Sequence, residues 1–355
     1  MVGYRLPSVG TTLQLDRHCP DCQRPHGRIH SGVRRRHIRD WKVTWVPQRR
    51  MICPDCGLTW TLRAQGVHPG RQRSDRVRAL AVLAYMLGLS YRGVAMLLQA
   101  LGSGGSKSTA ERDVAQAGQK AQRLHQASRR LGVRVLGVDG TGAALAGRDA
   151  GMLFFVDIDG RRLLFAARVQ ESDAAAVRRH VGRLMRQVGA RELRTDEHGV
   201  YERIVPEGQH RLCLAHWRKS KGKRACELMR QAVAEHRPLE AESMSRLLEL
   251  LRLKPRPPTP PPELESLVRR YSRCRKGLLW KINQLLQHVE RTWEKVSDDP
   301  ADPTNNVTER IIGLTFKIRA KTMRGFKATH KLVAHPYLAS FLRGQAGACD
   351  LCEVI

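Results

Sequence analysis

Two short cysteine pairs, Cys19-Pro20-Asp21-Cys22 and Cys53-Pro54-Asp55-Cys56, constrain the N-terminal part of this chain more tightly than any other feature. Each C-x2-C spacing presents two thiolates across one tight turn, and two such turns close a four-sulfur shell around a single Zn²⁺. His18 and His26 are weaker substitute ligands. Trp41-Lys42-Val43-Thr44-Trp45-Val46 alternates as a strand between the pairs, and Gly57 to Leu62 reads as a second strand after them, which is the layout of a zinc ribbon over residues 1–70. The ion replaces a hydrophobic core that so small a segment lacks. The remaining cysteines, Cys213, Cys226, Cys274, Cys349 and Cys352, form no second set of facing pairs. Metal ligation in a reducing compartment is therefore expected over a disulfide framework.

Charge narrows the partner. The 355 residues carry 63 Lys and Arg against 33 Asp and Glu, a formal charge of +30, which points to a polyanion bound through charge neutralisation and counterion release. Nucleic acid is favoured over membrane, because the longest apolar stretch, Ala79 to Leu89, is far short of the ~20 residues of a bilayer span. No basic flank followed by an apolar run opens the chain, so a cytoplasmic, nucleoid-associated protein is expected. Within the ribbon Arg34, Arg35, Arg36, Arg39, Arg49 and Arg50 have few acids to pair with and suit phosphates, with a solvated basic face as the alternative.

From Ser74 the pattern takes a helical period. Val77, Leu80, Ala81, Ala84 and Leu87 share one face, Val94, Leu97, Leu98 and Leu101 another after a Ser90 cap, and Ser106 or Ser108 caps a third helix from Thr109 to about Arg130. Residues 74–130 thus resemble a helix-turn-helix, with Lys107, Arg112 and Lys120 available to DNA; a plain connecting bundle gives the same stripes.

Arg134 to Gly142, Gly151 to Asp157 and Arg162 to Ala166 read as three antiparallel strands, with Asp159-Gly160 as a two-residue hairpin turn. A helix from Ser172 to Val188, a strand ending at Asp196, a short helix and a strand Arg211 to Leu214 follow. Asp139 ends the first strand and Asp196 the fourth, so neighbouring strands of one sheet bring both carboxylates to one place. Asp157 and Asp159 compete with Asp139, whose deeper apolar lead-in favours it. Glu309 opens a later helix, where it is either a third acid or the end of a capping box begun at Asn306. Three hard carboxylates suit two Mg²⁺ ions, or Mn²⁺, set to assist in-line displacement at phosphorus. The element order is that of an RNase H-like fold.

Val138-Asp139-Gly140, Thr195-Asp196-Glu197-His198-Gly199, Cys213-Leu214-Ala215-His216 and Asn305-Asn306-x-x-Glu309-Arg310 together resemble the DDE transposases of bacterial insertion sequences, in the group that shares a C-x2-H motif with Mutator-like elements. The resemblance spans nearly the whole chain. It implies Asp139, Asp196 and Glu309 as catalytic acids, Cys213 and His216 near the active site, an all-helical insertion, and double-stranded DNA as partner of a homodimer or larger oligomer. Read from the residues alone, Cys213 and His216 are a buried thiol and a core or phosphate-binding imidazole, without a metal.

The expected architecture is a multidomain α/β chain: ribbon 1–70, helix-turn-helix 74–130, catalytic core 131–222, helical insertion 223–300, and a last core helix with a basic tail 301–345. The proline run 255–262 reads as a stiff linker between two helical lobes. Lys317, Arg319, Lys321, Arg324 and Lys327 are nearly unpaired by acids and would lay DNA across the metals, a solvated face being the alternative. The expected activity is hydrolysis of a phosphodiester followed by strand transfer. A nuclease or resolvase that cuts without joining is the enzymatic alternative, and a domesticated DNA-binding protein the non-enzymatic one.

Overall fold

The computed structural model describes residues 3–127, 132–201, 204–206, 208–296, 305–323, 325–344 and 348–355. They form a mixed α/β protein of two compact units, one made of 1–128, 144–147 and 315–355, the other of 129–143 and 148–314. The sheet with the candidate acids and the helical insertion share the second unit, whereas the segment from Thr315 onward belongs with the N-terminal residues. No described helix is long and apolar enough to cross a membrane.

In the first unit a strand β1 (Gly3–Arg5) precedes a ribbon of β2 (Arg28–Ile29), β3 (Arg34–His37), β4 (Trp45–Ile52) and β5 (Thr59–Arg63), in which β2, β3 and β5 each pair antiparallel with β4. The strand expected at Trp41–Val46 begins only at Trp45. The Asp40 carboxylate accepts from Lys42 N (2.8 Å) and Val43 N (3.1 Å), a side-chain turn that displaces strand pairing despite the alternating pattern. The ribbon's own core is small: Ile38, Val46, Ala64 and Val67.

Three helices follow, α1 (Asp75–Met86), α2 (Tyr91–Ala100) and α3 (Lys107–Ala127). Ser74 and Ser90 cap the first two by accepting from Val77 N and Gly93 N, and Ser106 Oγ accepts from Thr109 N at 3.2 Å. The last residues expected in the third helix, 128–130, lie outside the described residues. Asp113 of α3 is fully buried among Arg71, Arg73 and Arg78, so one carboxylate holds three guanidinium groups together.

The second unit is built on β6 (Val135–Leu145), β7 (Arg148–Asp157), β8 (Arg162–Ala167), α4 (Ala174–Val188), β9 (Glu192–Thr195) and β10 (His210–Leu212). The five strands lie in the order β10-β9-β6-β7-β8. β9 is parallel to both β6 and β10, and β7 is antiparallel to β8. Ala176, Val177, Val181, Leu184, Met185 and Val188 of α4 pack into one core with Leu136, Val138, Leu153 and Phe155 of the sheet. The β7–β8 connection is four residues, Ile158–Arg161, and not the two of a tight hairpin. Asp157 closes it by accepting from Gly160 N and Arg162 Nε, both at 3.0 Å, while Arg161 takes the left-handed region at φ 48°. The short helix expected after Asp196 is a single 3-10 turn, Gly199–Tyr201.

Helices α5 (Leu214–Ala234), α6 (Pro238–Arg252), α7 (Pro262–Tyr271) and α8 (Gly277–Trp293) share a single core. The proline run therefore does not separate two lobes. Arg256 within it is buried, stacks over Trp217 (5.2 Å) and Trp293 (4.5 Å), and donates to the Trp293 carbonyl at 2.6 Å, which straps the segment across the bundle.

α9 (Asn306–Ile312) returns to pack against β7. The chain then runs through a five-residue π-helical stretch, Gly313–Lys317, into α10 (Ile318–Thr322), α11 (Thr329–Gly344) and β11 (Ala348–Asp350). In the first unit α11 lies on α3, where an added Cβ at Gly118 would stand 3.2 Å from Ala334 Cβ, and β11 pairs in parallel with β1.

Candidate metal centres

The two cysteine pairs form near-identical turns. Cys19 N–H donates to Arg24 O (3.0 Å) and Gln23 N–H to Cys19 O (3.0 Å); Cys53 N–H donates to Leu58 O (2.9 Å) and Gly57 N–H to Cys53 O (3.0 Å). Gln23 and Gly57, each directly after the second cysteine, take positive φ, 60° and 72°. The four Sγ atoms lie within 4.8 Å of one another, with Cys19–Cys56 and Cys22–Cys53 both at 3.6 Å. Zn–S bonds of about 2.3 Å in a tetrahedron put sulfurs ~3.8 Å apart, so the donor set fits one closed, structural zinc. Desolvation would raise the Cys19 thiol, but hydrogen bonds from the Cys22 and Asp21 backbone and neighbouring thiols bring it down to about 7.

The second group is carboxylate. Asp139 on β6, Asp196 directly after β9 and Glu171 between β8 and α4 each offer an oxygen within 4.8 Å of the others, all half-buried. Adjacent parallel strands supply the two aspartates. Glu171 comes from the far side of the sheet, and two glycines clear its path. A Cβ at Gly151 of β7 would sit 2.5 Å from Val169 O, and one at Gly140 of β6 would sit 2.5 Å from Glu171 Oε2. The buried Tyr201 hydroxyl donates to Glu171 Oε1 at 2.6 Å. Burial, and then the charge of Glu171, hold that phenol above its ordinary range, so it remains a donor. His198 N–H donates to Asp196 Oδ1 at 3.2 Å. Three hard oxygens from three acids suit Mg²⁺ or Mn²⁺, whose ligand oxygens stand up to ~4.2 Å apart across one ion.

Glu171 was not among the acids read from the sequence. It lies just before a helix, where an acid ordinarily serves the cap or the helix dipole, and the only local trace of its role is the pair of glycines it passes. Of the competitors, Asp157 pairs with Arg162 at 3.0 Å and Asp159 with Arg134 at 2.9 Å. Glu309 is not a member of the carboxylate group; its Oε1 meets His216 Nε2 at 2.9 Å. The capping box with Asn306 is not formed, since Asn305 is the N-cap and makes no side-chain cap bond. Thr308, next to Glu309, packs on Gly137 of β6, where an added Cβ would meet its hydroxyl at 2.1 Å, so α9 crosses the strand two residues before Asp139. Cys213 is buried as the N-cap of α5 and donates from its N–H to Thr195 O at 2.9 Å.

Glu197, beside Asp196, is taken up by Lys221 Nζ (2.7 Å) and His288 Nε2 (2.6 Å). Burial would raise its carboxyl, but hydrogen bonds from His288 and Lys221 outweigh that and hold it below the usual range. A cavity of about 580 Å³ opens there, lined among others by His198, His210, His288, Arg291 and Lys295.

The basic residues divide. Arg34, Arg35, Arg50, Lys107, Arg112, Lys321 and Lys327 are exposed, while Arg49 and Lys317 are half-buried. Arg36 is engaged: it donates to His68 O (3.2 Å) and to Arg71 O. Arg319 is buried, donates to Gly88 O (2.6 Å) and Leu89 O (2.7 Å) and stacks over Tyr85 at 4.3 Å, so it ties α10 to the α1–α2 turn and is not a surface cation. Arg324 lies outside the described residues. No family model matches the chain, and no curated protein matches it.

Proposed function

We propose that the chain is a DNA transposase whose second unit is an RNase H-like core. The observation that carries this reading is the meeting of two acids remote in sequence, Asp139 inside β6, which runs on to Leu145 instead of ending at the acid as expected, and Asp196 just past the end of the adjacent parallel β9, beside Glu171. The strand order, with the first strand central and the acids on the first strand and directly after the fourth, supports it. So does the excess of basic residues.

In this reading Asp139, Asp196 and Glu171 hold the divalent metal and Tyr201 orients Glu171. Mg²⁺ or Mn²⁺, when bound, supplies Lewis acidity to the attacking and leaving oxygens of a phosphodiester. Water and a DNA 3′-hydroxyl are equivalent nucleophiles there, so one site performs both hydrolysis and strand transfer. Joining two element ends calls for a homodimer or larger assembly. Glu309 stays a candidate for the third acid, because its neighbour Thr308 packs on Gly137 of β6, two residues before Asp139.

The test is a strand-transfer assay with DNA bearing the ends that flank the gene, a plasmid target and Mg²⁺. Joined products are expected from the wild type and none from Asp139→Asn or Asp196→Asn. Glu171→Gln and Glu309→Gln tell the two third acids apart: the true ligand abolishes joining while DNA binding persists. Cleavage without joining would replace the proposal with a nuclease, and binding alone with a DNA-binding relic.

A further inference from the structure

A second cavity, of about 380 Å³, lies wholly within the first unit, where three separate segments meet. Arg39 comes from the ribbon, residues 70–73 from the connection to α1, and Gly105 to Arg112 from the turn and first helical residues of α3. The connection is fixed against the ribbon by Arg39 N–H donating to Gln72 O (2.7 Å) and Ser74 N–H to Arg39 O (3.3 Å).

Five arginines line this space: Arg39, Arg71, Arg73, Arg78 and Arg112. The acids facing the cluster are Asp113, which holds Arg71, Arg73 and Arg78, and Asp75, which pairs with Arg78 at 2.9 Å. Burial, and then the neighbouring charge of Arg78, lower Arg71. The deciding atom is Arg73 Nη1. Arg73 is only 7% exposed and ion-pairs with Asp113 through Nη2, yet its Nη1, like Arg78 Nε and both Asp113 oxygens, is buried with no hydrogen-bond partner. It stands by Gly105 in the cavity wall, 3.9 Å from where a Cβ on that glycine would be. A buried guanidinium nitrogen without an acceptor costs free energy that a bound anion would recover. The same cavity includes Ser106 and Thr109 at the N-terminus of the 21-residue α3, where backbone N–H groups and the helix dipole also favour an anion.

We propose that this cavity seats one tetrahedral phosphate, held by Arg73 Nη1 with Arg39 and Arg112 at its rim, and that its source is a backbone phosphodiester of duplex DNA. The choice of source rests on the DNA-acting function proposed above; the phosphate chemistry does not. Bound there, the phosphate joins ribbon, connection and α3 to one point on the DNA backbone. It fixes position without reading sequence.

The experiment uses the full zinc-loaded chain and two variants. Arg73→Lys keeps a cation beside Asp113 but removes the second nitrogen, and Arg112→Gln alters only an exposed rim residue. Thermal unfolding is measured in inorganic phosphate against chloride at equal ionic strength, and affinity for a duplex of about 30 base pairs is measured across a salt series. Phosphate should raise the unfolding midpoint of the wild type, and both variants should lose most of that rise. In both, the slope of log affinity on log salt should shrink by about one. Phosphate protection lost in the variants with an unchanged DNA slope would overturn the DNA source and leave a seat for free phosphate. No phosphate-specific protection in the wild type, or protection and slope both unchanged in Arg112→Gln and a folded Arg73→Lys, would overturn the seat itself. Failure of strand transfer would sink the catalytic reading and leave the phosphate result standing.

Discussion

Single side chains decide what the acids can do. Tyr201 is the clearest case, because its hydroxyl contributes one hydrogen bond to Glu171 and no charge. Tyr201→Phe keeps the buried ring and frees the carboxylate to rotate, so Mg²⁺-dependent turnover should fall roughly 10- to 100-fold with unfolding unchanged within about 1 kcal/mol; a loss of stability matching the loss of turnover would make the bond structural only. In the first unit His335 is buried against Tyr85, Phe316 and Phe326, with Nε2 lacking a partner. Burial, then Arg319 and Arg343, push it down to about 3. The unfolded chain takes up this proton near pH 6.5 and the folded chain only near 3, so stability is lost as pH falls through that window, on the order of 2–3 kcal/mol by pH 4.5. Melts of wild type and His335→Phe at pH 7.5, 5.5 and 4.5 check this, since the variant should show a shallower decline.

Elements were legible in the sequence wherever their cause was local. The cysteine turns, the Ser74 and Ser90 caps, the apolar lead-in to Asp139 and the strand before Asp196 each depend on a few neighbouring residues, and the structure reproduces them. What escaped depended on distant parts of the chain. Glu171 reaches the aspartates by a crossing over β7, the Asp40 turn pre-empts a strand whose alternation looked sound, and Arg319 looked like a surface cation because no sequence pattern reveals two carbonyls at Gly88 and Leu89 waiting for it. The crossing is testable. Gly151→Ala puts a methyl group against backbone at 2.5 Å and Gly140→Ala puts one against the Glu171 carboxylate, so each should weaken Mn²⁺ binding about tenfold or more, read by isothermal titration, while Gly142→Ala, with open space at its Cβ, should not. The β6–β7 hairpin carries a smaller inconsistency. Ala146 and Gly147 take φ of 50° and 79°, the signs of a type I′ turn, in which asparagine is favoured over alanine at the first position. Ala146→Asn should stabilise the first unit by about 1 kcal/mol in denaturant unfolding; a neutral or destabilising result would show that the turn does not govern this hairpin.

At the scale of the whole chain, the cysteine cluster lies in one unit and the carboxylate group in the other, so metals bound at the two would be removed with separate consequences. The ribbon's core, Ile38, Val46, Ala64 and Val67 with Val9 and Val43 packed against it, is small, so an ion held by the four cysteines would supply much of its stability. The ribbon is also bound to the rest of its unit. The buried Asp40 carboxylate accepts from Arg76 Nη2 (2.6 Å) and Nε (3.1 Å) and from the Ser74 hydroxyl (2.5 Å), at the start of α1. Removing zinc with a strong chelator should therefore lower the unfolding transition of the entire first unit and not merely fray its N-terminus, with the transition of the second unit left in place. Calorimetry on the zinc-loaded and stripped chains should show two transitions of which one moves, and Cys53→Ser should reproduce the stripped trace. A stripped protein that keeps both transitions and loses only hydrogen-exchange protection in residues 19–63 would show that the Asp40 contacts do not couple the ribbon to the helices.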